Sequence, residues 1–199
     1  MNTPSHAVIN LALLMGQPQM ALPIVVGAVL PDVPMFVMYA WAKGVRRQSE
    51  RQIWTETYWH PQWQLVNHSF HSIPLAAIAA TVAYFTESSA IAWLCLSAVV
   101  HSLGDLPVHH DDAHRHWLPF SHYRWISPLS YWDPRHHGAI VSLAEKLLVL
   151  VATIYLFPLL TSWVARSLLV GINLLYMSGY FYRLWHRKCG QIQTQNSQS

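Results

Sequence analysis

The chain has 199 residues, enough for one domain and little more. It is 53% hydrophobic and only 11% charged, less than half the charged share of an ordinary soluble domain, so a surface built for water is not the expectation and a membrane-embedded one is. The net charge is +3, but the basic residues stand singly or in pairs with no stripe along a helix, which argues against nucleic acid as a partner.

About six apolar stretches follow in order, and the expected fold is all-α: a polytopic helical membrane protein with a His/Pro/Trp-rich loop. The first stretch, Ala7 to Met15, is short and ends at Gly16-Gln17-Pro18. The second, Ala21 to Ala42, is long enough to span, but Pro31, Asp32 and Pro34 interrupt it. The third is Ile73 to Phe85, and Thr86-Glu87-Ser88-Ser89 separates it from the fourth, Ala90 to Val108. The fifth runs from Ala139 to about Leu160 and the sixth from about Ser167 to Trp185. Several fall short of the roughly 20 residues of a comfortable span, and these are expected to tilt, to borrow flanking residues or to insert only in part.

With six spans and a cytoplasmic N-terminus, every Lys and Arg but Arg166 falls on or near the cytoplasmic side, as the positive-inside rule asks. That arrangement implies a bacterial cytoplasmic (inner) membrane with both termini cytoplasmic. Trp54, Tyr58, Trp59, Trp63, Trp117, Tyr123, Trp125, Tyr131 and Trp132 crowd the segments that would meet the membrane surface. The start, Met1-Asn2-Thr3-Pro4-Ser5-His6, lacks a signal peptide's positive region, so it is expected to be retained. Cys95 and Cys189 form no CxxC or paired framework. The organisation expected is one helical membrane domain over 1–190, followed by a polar, disordered tail over 191–199.

Thirteen histidines outnumber the 12 Lys and Arg together, and their placement points to a divalent metal. His101 and Asp105 are four apart, so on a helix they share one face and offer an imidazole nitrogen and a carboxylate oxygen to one ion. His68 and His71 are three apart at the head of the third stretch, and His6 opens the first. Asp32 lies inside the second, where an unpaired acid costs roughly 2.5–3.5 kcal/mol. It therefore needs a partner, and a helix broken at the flanking prolines would bring it toward the others. The run His109, His110, Asp111, Asp112, His114 and His116 reads either as a solvated loop or as further ligands. From it we take His109 and His110 as candidate ligands and Asp111 or Asp112 as a candidate catalytic base.

These residues carry a resemblance. His6, the Leu30-Pro31-Asp32 turn, His71-Ser72 before an apolar run, and His101 followed by Asp105 resemble the bacterial membrane-bound metal-dependent hydrolase-like proteins. That family includes a LexA-regulated inner-membrane member and looks related to the helical zinc phospholipase C-type fold. The resemblance covers roughly the first 110 residues and implies metal ligands at His6, Asp32, His71, His101 and Asp105. A subgroup often labelled as cobalamin biosynthesis proteins is similar further on, through Leu106-Pro107-Val108-His109-His110-Asp111-Asp112-Ala113, His116-Trp117, Ser127-Pro128, Ser130-Tyr131-Trp132-Asp133-Pro134 and His136-His137-Gly138. No glutamine-amidotransferase or nucleotide-binding pattern accompanies that label here. The chain departs from the wider family at Val66, where a His is usual five residues before His71; His68 stands three before it.

The expected function is a metal-dependent hydrolase in which a divalent ion, zinc by preference for N and O ligands, activates water. A site at the membrane face points to a lipid-like ester or phosphoester as substrate and to membrane lipid as partner. The rival readings are a non-enzymatic metal or proton carrier or sensor, a scaffold whose histidines only pack and hydrogen-bond, and a haem protein with paired histidine ligands.

Overall fold

The computed structural model describes residues 1–196, with side chains described through residue 179. The side chains of Arg183, Arg187, Lys188, Cys189 and the expected polar tail lie outside the described set. Among the described residues there is no strand, and the expectation of an all-α chain is met. The helices are α1 (Thr3–Leu14), α2 (Ala21–Val29), α3 (Val33–Ala40), α4 (Glu50–Gln52), α5 (Pro61–Phe70), α6 (Ile73–Phe85), α7 (Ser89–Asp105), α8 (Gly138–Leu159) and α9 (Trp163–Asn196).

The six apolar stretches each fall within helical segments, but their lengths differ. Among the described residues, two segments, Pro18–Val45 and Gly138–Leu159, are long and apolar enough to cross a membrane by length and composition, against the about six expected. Helices α6 and α7, at 13 and 17 residues, fall below that length. The chain divides into two compact units, residues 1–145 and 146–199. In the second unit, Asn173 Nδ2 donates to Thr153 Oγ1 at 2.8 Å.

Within the first unit, α2 and α7 cross in close contact. A Cβ on Gly27 would lie 2.0 Å from the backbone oxygen of Leu94, a distance no side chain can occupy. One polar stitch accompanies the crossing: Ser97 Oγ donates to the Ile24 carbonyl at 2.7 Å, and Asn10 Nδ2 of α1 donates to the Ser97 carbonyl at 2.8 Å. Such bonds are needed because buried polar groups without partners are costly. The long 18–45 stretch is not one continuous α-helix. Pro31 and Pro34 each lack an N–H and crowd the preceding turn, and a 3-10 turn over Leu30–Asp32 joins α2 to α3.

The junction between α5 and α6 is equally sharp. His71 caps the end of α5, and Ser72 caps the start of α6, its Oγ accepting from Leu75 N at 3.2 Å. The following residue is tied to the loop, with Ile73 N donating to the His116 carbonyl at 2.9 Å. Ser72 Oγ also donates to the Leu118 carbonyl.

The loop after α7 is ordered by its own bonds rather than by helix. Ser127 N donates to the His109 carbonyl at 3.0 Å, Tyr131 N to the Val108 carbonyl at 2.9 Å, and Ser127 Oγ to the Pro107 carbonyl at 2.6 Å. These bonds order the loop backbone, while Trp117, Phe120, Tyr123, Trp125 and Trp132 stay exposed.

The distribution of polarity is unusual for a water-solvated protein. His6, His68, His71, His101, His109, His114 and His116 are all buried, as are Asn10, Asn67, Asp105 and Glu145. Meanwhile Ile78, Val82 and Phe85 on α6 and Ile140, Leu147, Leu148, Val151 and Ile154 on α8 are exposed.

Candidate metal centre

Four separate pieces of chain deliver the polar cluster. Helix α1 brings His6, the 3-10 turn brings Asp32, the α5–α6 junction brings His71, and α7 brings His101 and Asp105 one turn apart. Asp105 is the hub. Its Oδ1 lies 2.9 Å from His6 Nε2, 3.2 Å from His109 Nε2 and 2.6 Å from the Met1 amine. Its Oδ2 lies 3.1 Å from His101 Nε2 and 3.7 Å from His71 Nε2. Asp32 Oδ1 faces the same two imidazoles, 3.6 Å from His71 Nε2 and 3.7 Å from His101 Nε2. Its other oxygen accepts from Thr3 Oγ1 at 2.5 Å.

The outer nitrogens decide what the inner ones can do. His101 Nδ1 lies 2.6 Å from the Ala28 carbonyl, and His71 Nδ1 lies 2.8 Å from the Asn67 carbonyl. A carbonyl oxygen only accepts, so each Nδ1 carries its proton and donates it. In the neutral ring, each Nε2 then presents a lone pair, and both lone pairs point at carboxylate oxygens that also only accept. Neither Nε2 has a hydrogen-bond partner, although both atoms are buried. Lone pairs facing carboxylates are held together by a cation between them, and an Nδ1–H bonded to a backbone carbonyl is the usual outer support of a metal-ligating histidine.

Three groups of side chains place their ligand atoms within 4.8 Å of one another: His6, His101 and Asp105; Asp32, His71 and His101; and His71, Asp105 and His114. The first and third share only Asp105. A carboxylate has two oxygens and can serve two ions, whereas an imidazole Nε2 serves one, so these groups can hold two cations at once. The imidazole nitrogens and carboxylate oxygens suit zinc or a similar divalent ion. The rings are also packed in pairs, His6 on His101 with centroids 3.7 Å apart and His71 on His114 at 3.8 Å.

All five residues singled out by the resemblance therefore meet in one cluster. The other candidates divide. His109 contacts Asp105 on one side, and its Nδ1 lies 3.0 Å from Asp112 Oδ2 on the other. Asp112 also accepts from Trp132 Nε1 at 3.1 Å. His68 is buried one layer out, edge-on to His114 at 5.6 Å, and its Nδ1 is 3.4 Å from Arg115 N. His110 turns away, its Nδ1 donating to the Ser127 carbonyl at 2.5 Å and its ring stacked on His136. Asp111 is largely exposed, 3.4 Å from His110 Nε2. His114 was not singled out from its run, and no periodicity in a loop could have separated it from His110.

Burial sets the charge states of the loop residues. It drives His114 well below the usual histidine range, with His71 and His109 adding to the effect. Burial likewise lowers His116 to about 3 and His68 to about 4, helped by His71 beside the first and by Arg115 beside the second. At neutral pH these rings are neutral and able to donate a lone pair. For His109 burial acts in the same direction, but Asp105 and Asp112 outweigh it and hold the group up at about 9. Asp112 is lowered: burial alone would raise it, and the bond with His109 overcomes that.

Beside the cluster lies a cavity of about 780 Å³, bounded by Asp32, His71, His109, Asp112 and His114 at its polar end and otherwise mainly by aromatic and apolar side chains. No protein-family model, curated protein or solved structure matches this chain.

Proposed function

We propose that the chain is a membrane-embedded, metal-dependent hydrolase. The observation that carries this reading is the pair of buried Nε2 atoms, on His71 and His101, whose protons are fixed on the opposite nitrogen and whose lone pairs face Asp32 and Asp105. His6, Asp32, His71, His101, Asp105 and His114 hold one or two divalent ions, zinc by preference, with Asp105 shared. A bound ion of this kind lowers the pKa of water beside it and polarises a substrate oxygen. The residues around it do the rest. Asp112 orients the His109 ring at the cavity's polar end, and the cavity admits a substrate to the buried cluster. The resemblance to bacterial membrane-bound hydrolase-like proteins supports the same reading.

A bacterial cytoplasmic membrane is the proposed location, with the chain crossing more than once and both termini cytoplasmic. Its support is the two apolar segments, the outward-facing Ile, Leu and Val of α6 and α8, and the histidine-rich interior. Exposed apolar surface beyond a few hundred Å² marks a lipid or protein contact.

One observation favours a second reading. His6 Nε2 and His101 Nε2 stand 2.9 Å and 3.1 Å from Asp105, distances a metal-free network of imidazolium–carboxylate pairs would also adopt. Metal content per chain, measured by mass spectrometry on untagged protein, separates the two. About one to two ions per chain, lost in a folded His101→Ala/Asp105→Ala variant, is the expected result. A wild type that stays metal-free after reconstitution makes the cluster a structural ion-pair network and removes the hydrolase reading.

A further inference from the structure

The cavity is lined by two kinds of chemistry, and its polar part lacks a feature that an anion site in water would have. Asp32, Asp112 and the shared Asp105 place three carboxylates at or beside that part, and no Lys or Arg is among the described residues lining it. The cations already there, the Met1 amine and His109, are paired with Asp105 and Asp112, so the positive charge left for an anionic substrate is what bound cations supply. With Asp112 balanced by His109, two divalent ions set against Asp32 and Asp105 leave a net charge of about +2, and two ions a few ångströms apart are the usual clamp for a phosphoryl group.

The rest of the lining suits an apolar chain. Met35, Phe36, Trp54, Trp59 and Trp132 belong to it, and Phe36, Trp54, Trp59 and Trp132 remain 42–53% exposed there. Two links join this wall to the cluster. Phe36 follows Asp32 by four residues, one turn along the Pro18–Val45 stretch. Trp132 bonds Asp112 directly, at 3.1 Å. Because Phe36 belongs to an apolar segment long enough to cross a membrane, the wall adjoins the part of the protein that would sit in lipid.

We infer that the substrate is a phosphate ester of a single long apolar alcohol, its phosphate at the metal cluster and its chain along the Phe36–Trp59–Trp132 wall. This rests on the hydrolase reading above and names the substrate class for that site. In the reaction, a water oxygen bonds to phosphorus and the bond from phosphorus to the chain oxygen breaks. One water proton ends on the released alcohol and the other on the released phosphate, so no further reactant is required.

The test uses the full chain in phosphatidylcholine nanodiscs, loaded with zinc, with inorganic phosphate, ethyl phosphate and octyl phosphate as probes. Binding is read by tryptophan fluorescence and phosphate release by a colorimetric assay, both before and after chelation. Inorganic phosphate should bind only when metal is present. Octyl phosphate should bind at least about tenfold more tightly than ethyl phosphate, a conservative figure against about fourfold per buried methylene in water. In Phe36→Ala/Trp59→Ala the octyl preference should shrink to less than about threefold, with inorganic phosphate unaffected. Metal-dependent phosphate binding with no chain-length effect would overturn this inference and leave the hydrolase reading standing. So would an octyl preference that survives in the double variant, because the bilayer and not the wall would be its source. Zinc bound without any phosphate binding also overturns it. A protein that takes up no zinc removes both readings together.

Discussion

Asp105→Asn is the sharpest perturbation, because the substitution keeps the shape of the hub and removes only its charge. If the imidazoles around Asp105 are neutral metal ligands, the variant loses the carboxylate that two ligand groups share. Each ion held at a free concentration a thousandfold above its dissociation constant stabilises the fold by about 4 kcal/mol, so two contribute about 8 kcal/mol. At about 2–4 °C per kcal/mol for a chain of this size, chelation should lower the wild-type Tm by about 15–30 °C. The variant should melt within a few degrees of chelated wild type and ignore the chelator. Its new amide can donate to the free lone pair of His101 Nε2, which the carboxylate faces at 3.1 Å. If the cluster is instead a metal-free ion-pair network, the signs change. Removing the central charge would leave buried imidazoliums unpaired at a cost of about 3–5 kcal/mol, while chelator would do nothing to the wild type. Thermal unfolding of both proteins with and without chelator, followed by circular dichroism, reads the difference. A wild-type Tm that chelator leaves unmoved, together with a variant about 10 °C or more below it, would refute the metal argument.

Other outcomes follow from particular contacts. Gly27→Ala should cost about 3 kcal/mol or more in denaturant unfolding, because its Cβ would meet the Leu94 carbonyl at 2.0 Å; metal content should fall with it, since His101 is held by the neighbouring Ala28 carbonyl. His114→Gln should lose about one of two ions while His110→Gln keeps both, as only the first lies in a ligand group, and metal analysis of the two variants checks this. Acid should destabilise the metal-free protein from about pH 6.5 downward. His116 is held at about 3, so between those values the unfolded chain binds a proton that the folded one refuses. His116→Gln should therefore reduce the slope of stability against pH by about 1 kcal/mol per unit in pH-dependent denaturation. An unchanged slope would mean that the ring is solvated.

Much of the site was legible because its ligands sit on or next to regular elements. His101 and Asp105 are four apart inside an apolar run, and a helix there has to put them on one face. Asp32 between two prolines signals both a broken helix and a buried charge seeking a partner, and the 3-10 turn provides the break. What the sequence could not resolve is the loop. Its backbone follows no period, so the facing of His109, His110 and His114 is set by distant bonds, such as those of Ser127 to the His109 and Pro107 carbonyls. For the same reason a candidate base chosen from Asp111 and Asp112 was undecidable by spacing: the structure leaves Asp111 largely exposed and draws Asp112 against His109. The number of full-length spans is set by a different signal. Hydropathy marks α6 and α7 as apolar, but turns at Ser72 and Ser88 cut them to 13 and 17 residues, about 20 and 26 Å at 1.5 Å per residue.

Those short helices bear on how the site works. A helix that stops short of a 30 Å hydrocarbon layer ends inside it unless the protein supplies polar partners there. Helix α7 ends on Asp105, and α6 begins at Ile73, capped by Ser72 immediately after His71. The end of α7 and the start of α6 thus meet at the polar cluster, with His71 Nε2 3.7 Å from Asp105 Oδ2 and Ile73 N donating to the His116 carbonyl. The same truncation that shortens these helices brings the polar His/Asp cluster to the point where the Pro18–Val45 segment breaks at Asp32. The proposed reaction on a chain-bearing substrate would use this placement, because the headgroup would reach buried ligands while its chain stays among apolar side chains. A site on an ordinary exposed loop would have to lift the chain out of lipid, at about 0.8 kcal/mol for each methylene transferred to water.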